Sequence, residues 1–388
     1  MGRSAEYLEA RIGIGHEHRA WVEVDRGAIA HNVRQIRSLL SPRTRLMAVV
    51  KADAYGHGAV SVAQIVSEAG VSGFAVATIP EGIQLREAGI EKPILVLGAA
   101  HTADEVEAIA HWQLQPTLCT PQQALLFSET LQTSGRSLWV HLNIDTGMSR
   151  LGTSWKKALD FVQLVRGLPH LEISGIYSHF ATADSPDRTI MDRQHRRFRG
   201  AIRQIADILD RDRRPCLHLA NSAATLADPD LHYDMVRVGL SIYGLYPAPH
   251  LRSAADLKPA MSVRARVTQI KTIEAGTGVS YGHQFVAPER TRIAVVGIGY
   301  ADGVPRNLSN RMKVLIRGQF VSQIGAVTMD QLMLDVSDIP DLQVGEVVTL
   351  LGGEGDRAIS ADDWADQLGS ISWEILCGFK HRLPRILT

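Results

Sequence analysis

The segment RLMAVVKADAYGHGAVSVAQIVSEAGVSGFAVAT, Arg45 to Thr78, decides the fold. It opens on the run 45–51, in which Leu46 to Val50 are uninterrupted apolar residues, the pattern of a strand covered on both faces. An amphipathic stretch, GAVSVAQIVSEAG (58–70), follows, and then a second β-branched run, GFAVAT (73–78). Strand, helix and strand in close succession make a βαβ unit with parallel strands. The first strand ends on a lysine. A lysine is almost never fully buried unless paired, so Lys51 either reaches solvent at a rim or is the functional point of the segment.

The same alternation continues outward. Further strands are expected at 93–98, 115–119, 138–145, 171–180, 216–221 and 235–240, with amphipathic stretches such as ADEVEAIAHW, SWKKALDFVQLV and RRFRGAIRQIADIL between them. Upstream, GAIAHNVRQIRSLL reads as a helix entered at Asp25. Eight strands separated by helices favour a closed (β/α)8 barrel of the TIM type over an open doubly wound sheet. No G-x-G-x-x-G follows the first strand, which weakens a dinucleotide-binding reading. The barrel is assigned to residues 25–255.

After Tyr246–Pro247–Ala248–Pro249 the texture changes. VRARVTQIKTI, TRIAVVGIGYADG, RMKVLIRG, FVSQIGAVTM, QLMLDV and EVVTLLG are strands separated by Gly, Pro and Asn turns, a β-rich pattern. One helix interrupts it, SADDWADQLG, with Ser360 as N-cap and Asp363 three residues on. This second domain is assigned to 256–388, and WVEV (21–24) places the N-terminal residues 1–24 with it.

Composition narrows the class. The 41 basic and 41 acidic residues cancel, and 45% hydrophobic with 21% charged residues is ordinary for a globular chain of this length, 388 residues. No global field points to nucleic acid or to an anionic membrane. The basic runs 193–199 and 211–215 read as a solvated outer face. Cys119, Cys216 and Cys377 are odd in number and far apart, which suits free thiols in a reducing compartment rather than a disulfide frame or a zinc site. The first twenty residues carry scattered charges and no apolar core of a signal peptide. The expectation is a cytoplasmic protein with no metal, no nucleic acid and no membrane partner.

In a barrel of this kind the functional residues lie at the C-terminal strand ends. Those ends carry Lys51 and Tyr55, Arg150, His179, Asn221 and Ser222, and Arg237 with Gly239. Lysine can condense with an aldehyde, backbone amides and a serine hydroxyl can hold a phosphate, and arginines can face a ring nitrogen or a carboxylate. Pyridoxal 5'-phosphate fits that set.

At these residues the sequence resembles the alanine racemases. The resemblance runs through VVKADAYGHG, IDTGMSRLG, YSHFATAD, ANSAA, MVRVGLSIYGLYP, VSYGH, VGIGYADGVPR, GAVTMDQ and HRLPR. It implies that Lys51 holds pyridoxal 5'-phosphate covalently, a reaction that needs the amine neutral. It further implies that Tyr55, Asn221, Ser222, Gly239 and Leu240 surround the phosphate and that Arg237 faces the pyridine nitrogen. Because an arginine does not give up its proton, that nitrogen would stay unprotonated, which suits racemisation over transamination. Two bases are implied on opposite faces of the substrate Cα, Lys51 and Tyr281. An ordinary tyrosine titrates near pH ~10, so Tyr281 would need help, which a chain through His179 to Arg237 would supply. In this family the tyrosine comes from the other subunit of a homodimer with shared active sites. Arg150, Met329 and Tyr300 match substrate-side positions. The implied activity is interconversion of L- and D-alanine, a supply of D-alanine for peptidoglycan.

Three positions depart from the family pattern. Asn143 stands where many members carry a carbamylated lysine that braces the arginine, so Arg150 needs another brace, such as a bound anion. Thr328 replaces a frequent cysteine. Trp373 replaces a tyrosine at the phosphate and is bulkier, which keeps a serine or broad-specificity racemase as the alternative. A non-catalytic cofactor carrier would resemble the barrel alone, and a decarboxylase would be expected to place an acid at Arg237. His57 is read as structural.

Overall fold

A computed structural model describes residues 18–208 and 214–388. The N-terminal residues 1–17, and with them most of the stretch searched for a signal peptide, lie outside the described residues, as does the 211–213 part of the second basic run. The chain divides into two compact units, 26–260 and a second made of the N-terminal segment to Asp25 with 261–388.

In the first unit, eight parallel strands follow in order. They are β2 (Arg45–Val49), β3 (Gly73–Val76), β4 (Ile94–Val96), β5 (Gln115–Leu118), β6 (Leu138–Asp145), β7 (Leu171–Tyr177), β8 (Cys216–His218) and β9 (Met235–Val238), after β1 (Ala20–Val24) of the other unit. They pair in the order β5-β4-β3-β2-β9-β8-β7-β6, and β5 pairs with β6 to close the ring. The closing register sets Thr117 against His141, and β2 meets β9 at Met47 and Arg237. The alternation of runs in the sequence therefore produces a closed (β/α)8 barrel, as expected, with every strand but β6 one to three residues shorter at its C-terminal end than the run implies. Those few residues are the ones that leave the sheet to carry the site.

The helices around the ring form where their ends are capped. Thr78 and Thr102 each begin a helix with a capping box, closed by Glu81 and Glu105, and Thr120 caps a helix whose first residue is Pro121. Helix α1 (Arg26–Ser38) buries Ala28, Ile29, Asn32, Val33 and Ile36, one stripe at helical spacing. The buried Asn32 amide donates to the carbonyls of Ile242 and Lys258 and accepts from the Lys258 N–H. That exchange ties 256–260 to the barrel, although on composition those residues group with the C-terminal segment.

The second unit is a nine-stranded sheet in which the long strand β10 (Met261–Ile273) pairs with β1, with β11 (Thr291–Val296) and with Val347–Glu354. The short N-terminal strand thus joins this unit, as its sequence suggested. The helix Ala361–Leu368 starts at Ser360 with Asp363 completing the capping box. A second short helix, Ser372–Gly378, carries Trp373 and was not visible in the pattern, since Ile371 at its start offers no side-chain cap. No helix among the described residues is long and apolar enough to cross a membrane.

Candidate active site

The strand ending at Val49 delivers Lys51 into an unusual turn. Ala52, Asp53, Ala54 and Tyr55 all have φ between 52° and 55°, a full left-handed turn of non-glycine residues. Each L-residue held there costs roughly 1–2 kcal/mol, so the turn persists because its surroundings over-determine it. The Ala52 N–H donates to the Glu81 carboxylate at 2.7 Å. The Ala59 N–H donates to Asp53 Oδ1 at 2.7 Å, and the Gly58 N–H to the Asp53 carbonyl. The turn buries Tyr55 and leaves Lys51 half-exposed.

Tyr55 closes one side of a small cradle. At Gly239, immediately after β9, a Cβ would come within 2.6 Å of the Tyr55 hydroxyl, so only glycine lets the two elements approach. The Gly239 N–H donates to Ser222 Oγ at 3.1 Å. Leu240 begins the 3-10 turn that follows, in which the buried Ser241 hydroxyl has no partner. Buried hydroxyls are ordinarily bonded, and an uncommitted one beside Gly239 suits an oxygen-rich ligand. Asn221 has a different duty: its side-chain oxygen caps the helix Ser222–Ala227 by accepting from the Ala224 N–H.

The barrel interior beside the cradle is polar and buried. Arg237 is 3% exposed. Its guanidinium donates to the carbonyls of Ser178 and His218 at 2.8 and 3.1 Å, to His218 Nδ1 at 2.9 Å and to His179 Nδ1 at 3.2 Å. Every one of these acceptors is neutral, and the guanidinium lies 4.9 Å over the Tyr177 ring. Burial pushes the Arg237 pKa down to about 10, which leaves it charged at neutral pH. His179 is driven the other way from protonation: burial, then the charges of Arg237, Arg150 and Lys51, lower its pKa to about 3. Arg237 thus meets a neutral imidazole that lies two residues beyond the end of β7 rather than on the strand.

Arg150 is exposed on a loop set by Asp145, whose Oδ1 accepts from the Gly147 and Ser149 N–H groups. Asn143 is buried on β6, and burial raises the pKa of the Cys119 thiol to about 11. A Cβ at Gly152 would meet the Asn143 carbonyl at 2.8 Å. Asn143 therefore packs under the Arg150 loop.

The remaining expected residues belong to the other unit. Tyr281 is 71% exposed at the start of a short 3-10 turn, Met329 52% and Tyr300 42%. Tyr281 and Tyr300 line one cavity of about 410 Å³ with Arg306 and Val327. The Tyr300 and Ala301 N–H groups donate to the carbonyls of Thr328 and Met329. The Thr328 hydroxyl closes its own turn by donating to the Gln331 carbonyl. Trp373 is half-buried on its short helix.

Several residues of the site were not singled out from sequence. His218 Nε2 bonds His141 Nδ1 at 2.9 Å, and His141 Nε2 bonds Gln115 Oε1 at 3.1 Å, behind Arg237. Gly175 makes room for this, since a Cβ there would lie 2.3 Å from His141 Nδ1. A histidine inside an apolar strand run was the available signal for both. Glu81 gave none beyond its helix cap.

Comparison with known proteins points to one family. The family model described as alanine racemase, N-terminal domain, matches residues 24–247, and that for the alanine racemase C-terminal domain matches 260–387. An alanine racemase of Nostoc sp. is 66% identical over 95% of this chain and 95% of its own length. One from Synechocystis sp. is 63% identical over 95% of this chain and 99% of its own length. The crystal structure of the Bacillus anthracis alanine racemase with bound L-Ala-P superposes with a TM-score of 0.89 at 36% identity, covering 96% of this chain and 95% of that one.

Proposed function

This chain belongs to the alanine racemase family, and from that premise we propose that it interconverts L- and D-alanine with pyridoxal 5'-phosphate held at Lys51. The cradle of Tyr55, Ser222, Gly239 and Leu240 would take the phosphate, and Arg237 the pyridine nitrogen. The residues present fit that group: hydroxyls and backbone N–H groups meet at the cradle, and a buried cation without a carboxylate stands behind it. The cofactor supplies an electron sink that acidifies the Cα–H of a bound amino acid.

The chain's own residues then do the following. Lys51 Nζ and the Tyr281 hydroxyl stand as acid and base on opposite faces of Cα, one removing a proton while the other returns one. Tyr281 is brought by a second copy of the chain in a homodimer. Its high exposure, shared with Met329 and Tyr300 on the same unit, supports a face that another subunit covers. Arg150 holds the substrate carboxylate and the Met329 backbone N–H assists. Arg237, unable to deliver its proton, would leave the pyridine nitrogen of the bound group unprotonated. Asn221 and Trp373 complete the cofactor pocket, Tyr300 stands at the entrance, and D-alanine for cell-wall synthesis in the cytoplasm is the resulting role.

The observation that carries this reading is the buried Arg237, held by neutral acceptors two residues before the cradle at Gly239. A buried guanidinium followed by a cradle of hydroxyls makes a site for an anionic ligand. The test is deuterium incorporation at Cα from heavy water, across a panel of L-amino acids with added pyridoxal 5'-phosphate. Alanine should exchange fastest and give both enantiomers. Faster exchange of serine would favour the broad-specificity alternative, and none with any amino acid would remove the racemase reading.

A further inference from the structure

We infer that Glu81 is a positioning residue for Lys51: its carboxylate locks the left-handed turn that begins at the lysine onto the start of the next barrel helix. The inference rests on the assignment of Lys51 to the cofactor.

Glu81 is half-buried on the helix Ile79–Glu87 and spends its two oxygens differently. Oε2 accepts from the Ala77 and Thr78 N–H groups at 2.7 and 3.1 Å, which is ordinary capping. Oε1 accepts from the Ala52 N–H at 2.7 Å, across to the preceding βα loop. The next barrel unit supplies a natural comparison. Glu105 caps its helix in the same way, with Oε2 accepting from the His101 and Thr102 N–H groups at 2.7 and 3.0 Å. The bond to Ala52 is therefore an addition to a cap that the fold uses elsewhere without it.

Two features make the addition consequential. Ala52 is the first residue of the left-handed turn, so its N–H direction is set by the Lys51 ψ and the Ala52 φ together. Holding that N–H fixes how the Lys51 Cα–Cβ bond leaves the barrel rim. Both Glu81 oxygens also face N–H donors only, so the group must be acceptor-only. A glutamine would turn its NH2 toward one of the two loops and lose that loop. The second residue of the turn, Asp53, is held separately by accepting from the Ala59 N–H. Tyr243 fixes the strand before it by donating to the Val49 carbonyl at 2.9 Å. With Glu81 these contacts leave the lysine on a rigid support, which a precisely aimed nucleophile requires.

The experiment compares wild type, Glu81→Gln and Glu105→Gln in the full chain. It uses thermal melting, titration with pyridoxal 5'-phosphate followed by absorbance of the lysine adduct, and hydrogen exchange resolved at the Ala52 amide. Glu105→Gln should lose little stability, because its amide oxygen can still accept at the cap, whereas Glu81→Gln cannot keep both partners. Glu81→Gln alone should capture the cofactor about tenfold more weakly and more slowly, and alone should speed Ala52 exchange. Equal capture and equal Ala52 exchange in the two variants would overturn the inference. If Glu81→Gln does not fold, wild type decides: Ala52, though exposed, should exchange slowly, and exchange at the rate of an unstructured peptide overturns the clamp. Wild type that forms no adduct would sink the assignment of Lys51 instead, while the amide readout still tests the clamp.

Discussion

Arg237 donates from Nη1 to His218 Nδ1 at 2.9 Å, and that bond fixes the protons of two histidines behind it. An arginine has no acceptor, so His218 Nδ1 is the bare nitrogen and its proton sits on Nε2. His218 Nε2–H then donates to His141 Nδ1, and His141 Nε2–H to the Gln115 oxygen. The chain of donors runs one way, from the cation outward. Both histidines stay neutral, because burial and the charge of Arg237 hold their pKa values far down. The guanidinium is thus solvated by oriented neutral dipoles, which leaves its charge available to a ligand.

Replacing His218 with leucine leaves the buried guanidinium an acceptor short. The expected loss is about 2–3 kcal/mol of unfolding free energy, the range for a hydrogen bond to a charged group with its partner stranded. Urea unfolding of the variant measures it. A loss below ~0.5 kcal/mol would mean that His218 does not solvate Arg237.

Stability should fall on the acid side of neutrality. His141 and His179 are held at about 3 and His218 well below its ordinary value, whereas the unfolded chain binds these protons near pH 6.5. Depressed folded-state pKa values mean that the unfolded chain carries more protons in this window. The contribution is complete above pH ~6.5 and is lost as pH falls toward about 3, at up to ~1.4 kcal/mol per pH unit for each group. Urea midpoints at pH 7 and pH 5 check it, and equal midpoints would contradict the buried neutral state.

Gly239→Ala should empty the phosphate cradle and little else. The added Cβ would fall 2.6 Å from the Tyr55 hydroxyl, and that ring must move. Affinity for pyridoxal 5'-phosphate is expected to drop about tenfold, the scale of a small misplacement of binding groups. Affinity for pyridoxal, which has no phosphate, should stay near that of wild type. Equal losses for both would place the phosphate elsewhere.

Tyr281→Phe should abolish most racemisation, and unequally in the two directions, because on the proposed mechanism it removes the base on one face only. Mixed dimers of Tyr281→Phe with Lys51→Ala chains should regain part of the activity, through sites that draw Tyr281 from one chain and Lys51 from the other. Progress curves from each enantiomer, and the activity of the mixture, are the measurements. Mild and symmetric loss would remove Tyr281 as a base, and no recovery would argue against a shared site.

The barrel was legible in the residues because its strands are covered on both faces. Continuous runs such as Leu46–Val50 and Ile94–Val96 cannot sit stably at a surface, and amphipathic stretches at helical spacing separate such runs. Lys51, Arg150, His179 and Arg237 could be placed at or near strand ends from this frame alone, since parallel βα units put those ends on one rim. The second helix of the C-terminal unit escaped because a seven-residue segment without a capping side chain has no local signature.

Chain order and side-chain polarity, then, determined the alternating architecture, the strand ends and which of them carry charged and polar residues. Tertiary structure decided what those residues do to one another. Ala52, Asp53, Ala54 and Tyr55 have no intrinsic bias strong enough to hold a left-handed turn, and the contact that pins its start comes from Glu81 in the next barrel unit. The proton order of His218 and His141 likewise follows from a guanidinium on a third strand. Such features arise where elements far apart in the chain converge in a buried, low-dielectric space, and there the hydrogen-bond partner, rather than local propensity, sets conformation and charge.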